Sequence, residues 1–189
     1  MSTYSILVFV HVLGGVGVYV ALGIEAVALG GLRRAETPGD AGVWLRLHAV
    51  PRRLGPAAMI TALASGAWMM ATAWGRQPWI LGAFLGMVGM AIAGGGVTGR
   101  AMRRLRAALA GESGTALSSA FRDARGSAAL TASLRVRIAI GLGILALMTV
   151  KPEAAGSGVI LAAAVVAGLA AGIPRDARRT RLAGTGAGA

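Results

Sequence analysis

Two ionisable side chains interrupt an otherwise apolar run near the start of the chain: His11 and Glu25, within VFVHVLGGVGVYVALGIEAVALGG at residues 8–31. A histidine can exchange a proton near neutral pH or give a ring nitrogen to a metal. A carboxylate in hydrocarbon is costly and calls for a cation or a function. On one helix the two lie 14 residues apart and only about 40° apart around the axis. They share a face with Val18, Leu22 and Leu29, beside Gly14 and Gly15. Glu25 is expected at the end of the apolar run, as a membrane polar residue that Arg33 or Arg100 neutralises. His11 is expected about a turn and a half inside the apolar layer, facing the bundle interior and within reach of the fourth span.

Lys151 is the single lysine and closes the segment LMTVKP. It is expected at the same depth as His11, either snorkelling to the headgroups or as its neighbour. Met69, Met70, Met87 and Met148 gather toward that end of the spans. Imidazole and thioether together ligate haem iron or Cu(I). His11 with Met148 or Lys151 is therefore a candidate cofactor-binding set, and His11 with Met87 a candidate metal set. The competing reading is that methionine fills gaps between helices. His48 is expected on the polar surface. There is no Cys, hence no thiolate ligand or nucleophile. No P-loop, H-E-x-x-H, G-x-S-x-G or paired carboxylates occur, and GGGVTGR at 94–100 reads as a helix end, lacking the P-loop lysine. These absences favour a non-enzymatic protein.

The elements that carry these residues follow from composition. The chain of 189 residues is 56% hydrophobic and 14% charged, with mean hydropathy +0.69. Its apolar residues are segregated into blocks, as a bilayer requires. Five blocks approach the ~20 residues needed to span: Thr3 to Leu29, Leu54 to Trp74, Trp79 to Val97, Leu134 to Val150, and the short Gly158 to Ile173. The first lacks the basic start of a signal peptide and reads as a retained span. The fold class is thus an all-α polytopic membrane helix bundle.

Of the 19 basic residues, 17 fall in the segments 32–53, 99–137 and the tail. Five spans place all three segments on one side, which the positive-inside rule makes cytoplasmic. The expected topology is N-out, C-in. The net charge of +12 then belongs to a face against anionic lipid, with no nucleic-acid partner. The arginine bias and the abundance of Ala and Gly point to a bacterium, and so to a bacterial inner membrane.

Small residues recur at helical spacing on the second span (Ala58, Ala62, Gly66), the third (Gly82, Gly86, Gly89, Ala93, Gly96) and the fifth (Ala164, Gly168, Gly172). Such stripes let helices approach closely in lipid. The second and third spans are expected to form a tight hairpin through GRQP, flanked by Trp74 and Trp79. Residues 36–42 read as a turn, and VWLRLHAVPRRL as a short interfacial segment ending at Pro51. Residues 100–110 read as a basic helical extension, and ALSSAFRDA as a short helix. Residues 1–174 form one bundle domain and 175–189 a basic, disordered tail.

The run ILVFVHVLGGVGVYVALGIEAVALGGLR, the basic Trp-containing segment after it, the Trp-to-Trp hairpin and the closing LMTVKP resemble small bacterial integral-membrane proteins of uncharacterised function. More distantly the chain resembles the copper-resistance D type membrane domain and the haem-associated protoporphyrinogen-oxidase-like membrane family. Those families carry a His near the outer end of the first span, which His11 and Gly14 match. The resemblance implies a b-type haem or copper link through His11, with Lys151 aligned to a functional lysine. The second histidine of those relatives has no counterpart in any span. The leading expectation is a non-enzymatic inner-membrane protein that binds a small ligand or serves a membrane partner or a second copy. The alternatives are a haem b or copper redox protein and a small transporter.

Overall fold

The structure, a computed structural model, describes residues 2–172. All regular elements among them are helical. α1 (Thr3–Arg34) begins at Ser2, whose hydroxyl accepts the Ser5 N–H at 3.2 Å. It ends with Arg33 and Arg34 in its last turn, where cations suit the helix dipole. α2 (Pro38–Leu47) is capped by Thr37, whose hydroxyl accepts the Asp40 N–H at 3.2 Å. Pro38 sits in its first turn, where a missing N–H costs nothing. Most of the expected turn at 36–42 is therefore helix. After His48 the chain enters α3 (Ala49–Met69), and Pro51 lies in the first turn of α3 instead of ending a segment.

The end of α3 widens into a π-helical turn, Met70–Trp74. α4 (Pro78–Ile92) passes through a second π-helical stretch, Ala93–Thr98, into α5 (Gly99–Ala110). The glycine run read as a helix end is instead a widened stretch inside one continuous helix. α6 (Ser119–Arg125) is the expected short helix, capped by Ser118. α7 (Ala128–Val150) ends at Lys151, which adopts the left-handed conformation with φ 53° before Pro152. α8 (Ala154–Gly172) completes the described residues. The tail 175–189, expected to be disordered, lies outside them.

Five stretches are long and apolar enough to cross a membrane: Thr3–Arg34, Pro38–Trp74, Pro78–Ala110, Ser119–Val150 and Ala154–Ala171. The solvent pattern is the reverse of a water-soluble protein's. Phe9, Leu13, Ile60, Leu85, Ile92 and Val159 are exposed, whereas Glu25, Ser133 and Arg137 are buried. That arrangement is the one a hydrocarbon surrounding would select, since ionisable groups there must find partners inside the bundle.

The small-residue stripes are contact faces. A Cβ on Gly14 of α1 would lie 2.7 Å from the Ala62 backbone nitrogen of α3. On α4, Gly86 meets Ile144 and Ile140 of α7, and Gly82 meets Leu147 and Ser157. On α8, a Cβ at Gly168 would lie 2.5 Å from the Val136 Cα. The pairing differs from expectation in one respect. α3 spends its stripe on α1, and α4 spends its own on α7 and α8. The two helices joined by the short loop at 75–77 barely touch, so the expected tight hairpin is splayed. The bundle is therefore two groups, α1–α2–α3 and α4–α5–α6–α7–α8, meeting mainly where α1 faces α7 and α2 faces α5.

Candidate functional site

The splay leaves a cavity of about 510 Å³ between α1, α3, α4 and α7. Helix α1 supplies His11, Gly15 and Tyr19, and α3 supplies Ala62 and Gly66. Ala83, Phe84, Met87 and Met90 come from α4, and Gly141, Ile144 and Met148 from α7. Met70 joins from the π-helical turn. Apart from the thioethers, His11 and Tyr19 are the only polar side chains in the wall among the described residues.

His11 is fixed by α3. Its Nδ1 lies 2.9 Å from the Ala62 carbonyl oxygen and 3.3 Å from the Ser65 hydroxyl. A carbonyl only accepts, so Nδ1 carries the proton in the neutral ring. The Ser65 hydroxyl donates to the Thr61 carbonyl at 2.6 Å, leaving its lone pair to accept from Nδ1. A Cβ on Gly66 would sit 3.1 Å from the imidazole Cε1, so glycine there gives the ring its seat. The consequence is a bare Nε2 lone pair on a cavity-lining ring. No group among the described residues bonds to it.

The structure thus brings His11, Met70, Met87 and Met148, all named from the sequence, to one cavity and adds Met90, which was not. Met69 does not line it. His11 bonds to the second span, contrary to the expectation of a contact with the fourth. Lys151 stands outside the lining. Its Nζ lies 4.3 Å from the Trp74 ring centroid and 5.8 Å from that of Trp79, a cation–π arrangement. Trp74 in turn donates its indole N–H to the Tyr4 hydroxyl at 3.0 Å and packs edge-on against Trp79. Among the described residues, no group of three or more His, Asp or Glu is placed to hold a metal ion. A metal in the cavity would rely on His11 and thioether sulfur.

Glu25 corrects its expectation. It is 5% exposed and pairs with neither Arg33 nor Arg100. Arg137 of α7 forms a two-pronged salt bridge with it, Nη1 donating to Oε2 at 2.9 Å and Nη2 to Oε1. A directional chain continues from there. Arg137 Nη2 donates to Thr98 Oγ1 at 3.1 Å, Thr98 to Ser133 Oγ at 3.0 Å, and Ser133 to the Ala93 carbonyl at 3.0 Å. The π-helical stretch supplies both Ala93 and Thr98, and Gly94 leaves room for the guanidinium, with Nη1 3.4 Å from where a Cβ would be. The signal that could have found this cluster is the Ser133, Arg137, Gly141 spacing on one face of the fourth span. His48, expected on the surface, is also buried, with both ring nitrogens lacking partners.

No family model, curated protein or solved structure matches the chain. The geometry alone carries the functional reading.

Proposed function

We propose that this chain is a multi-pass membrane protein, N-out and C-in, that binds a small apolar molecule between α1, α3, α4 and α7. It binds without transforming its ligand. The observation that carries this reading is the cavity of about 510 Å³ with two hydrogen-bonding rings, His11 and Tyr19, in an otherwise apolar wall. Ligand sites are typically concave, mostly apolar and of roughly 300–1,000 Å³, with few polar groups to fix orientation. Here His11 is such a group, held by the Ala62 carbonyl and the Ser65 hydroxyl. The basic residues that cluster at one end support the orientation, and the five apolar helices support the membrane setting.

The test fills the cavity. Gly15 lines it, and a Cβ there would meet nothing within 4 Å. Gly15→Phe should occupy the space without straining the helices. The apolar probe 4-hexylanisole should raise the thermal unfolding midpoint of the wild-type protein in detergent and leave that of Gly15→Phe unchanged. An equal rise in both would sink the site.

One observation favours a second reading. His11, Met87 and Met148 share the cavity, and His11 presents a bare Nε2 while its Nδ1–H is held by a carbonyl. Metal-ligating histidines are commonly held that way, and imidazole with thioether suits haem iron or Cu(I). Either would supply one-electron chemistry. Protein expressed with haem supply should then show a Soret band that His11→Ala removes or shifts. A colourless product excludes haem, and a Cu(I) titration without binding excludes copper.

A further inference from the structure

We infer that the cavity selects an aromatic hydroxyl compound, a phenol or quinol on an apolar tail, whose hydroxyl donates to His11 Nε2. This rests on the cavity being a ligand site, and it names the class of ligand. Three features lead there. The first is polarity. The Nδ1 proton of His11 is engaged by Ala62 and Ser65, so the neutral ring offers the cavity an acceptor and no donor. A buried hydroxyl is costly without an acceptor, and Nε2 provides one. A ligand presenting only an ether or carbonyl oxygen would set lone pair against lone pair. Tyr19, the other polar side chain in the wall, can both donate and accept, so it does not discriminate between the two kinds of ligand.

The second feature is the wall that would receive a ring. Met70, Met87, Met90 and Met148 line the cavity together with Phe84. Thioether sulfur packs favourably at aromatic ring edges, and methionine adapts to irregular contents. The third is the way out. The helices α3 and α4 barely touch, and Leu81 and Phe84, which line the cavity from α4, are exposed. A tail passing between the two helices would reach lipid while the ring stays against His11.

The experiment compares 4-hexylphenol with 4-hexylanisole, the same ring and tail with the hydroxyl capped by a methyl group. Both are titrated into the wild-type protein in lipid nanodiscs, with correction for partition into empty nanodiscs. The phenol should bind about tenfold or more tightly than the ether, as expected when one buried hydrogen-bonding group is met or left unmet. With ¹⁵N-histidine labelling, phenol should shift the His11 Nε2 resonance and leave that of His48, the only other histidine, in place. The variant His11→Leu should bind both probes alike. If both bind the wild type equally, or if the Nε2 resonance does not move, the hydroxyl assignment is wrong while the cavity remains a binding site. If neither probe binds the wild type, the ligand-site reading falls and takes this inference with it.

Discussion

Glu25 and Arg137 hold each other inside the bundle, and that pairing has a measurable signature. Removing one partner leaves an uncompensated charge in a low-dielectric interior, which costs about 3–5 kcal/mol. Glu25→Leu or Arg137→Met alone should therefore lower stability strongly in detergent denaturation. The double variant should recover most of the loss, since an apolar pair of similar volume has no desolvation penalty. Additive losses would show that the two side chains act independently. His11 was legible in the sequence because it is the only imidazole in an apolar run, and the nearby glycines marked it as a place of close approach. The partner of Glu25 was not legible. Arg137 lies 112 positions away, and from sequence it reads as the basic start of a span. Only the register of α1 against α7 reveals that it points inward at the same depth as Glu25. Lys151 was legible as a cation closing the fourth apolar segment, but its aromatic seat was not. Its left-handed backbone turns the chain at the end of α7, and the indoles of Trp74 and Trp79 take up its charge.

At the scale of elements, the glycine stripes give a paired prediction. At Gly86 even a Cβ would lie 3.0 Å from the Ile144 Cγ1. Gly86→Leu should cost about 1–3 kcal/mol through overpacking and lower the thermal midpoint. Gly23 sits on the same kind of apolar helix, but a Cβ there meets nothing within 4 Å. Gly23→Leu should leave the midpoint unchanged or raise it slightly, since leucine is the better helix former. Equal losses at both sites would show that the α4–α7 contact is not the one described. The five long apolar helices were readable, because each follows a block of apolar residues of spanning length. The π-helical stretch at Ala93–Thr98 was not. Glycines in sequence signal an end or a close approach, and here they admit the Arg137 side chain while the widened turn sets Thr98 against Ser133. That purpose exists only when α7 is in place. The same limit explains the hairpin. The stripes on α3 and α4 were visible, but not which neighbour each would face.

For the whole molecule, the ends of the bundle differ in chemistry. At one end Arg125 reaches from α6 to the Leu32 carbonyl at 3.1 Å, and Arg33 reaches from α1 to Thr131. At the other, Tyr4, Trp74, Trp79 and Lys151 assemble. If the arginine end faces the cytoplasm, a fluorescent protein fused to the C-terminus should glow and alkaline phosphatase fused there should be inactive. An active phosphatase at that position would reverse the orientation. The splay between α3 and α4 has a further consequence. The helix pairings on either side of residues 75–77 are extensive, and noncovalent contacts bridge the divide: a shared apolar core, Glu25 with Arg137, Arg125 with Leu32 and Arg33 with Thr131 toward one end, Lys151 with Trp74 at the other. The covalent link between them contributes little packing of its own. Severed at Arg76, the chain should behave as a heterodimer. The pieces 1–76 and 77–189, produced from separate genes, should find each other in the membrane and purify together, with the cavity as their shared seam.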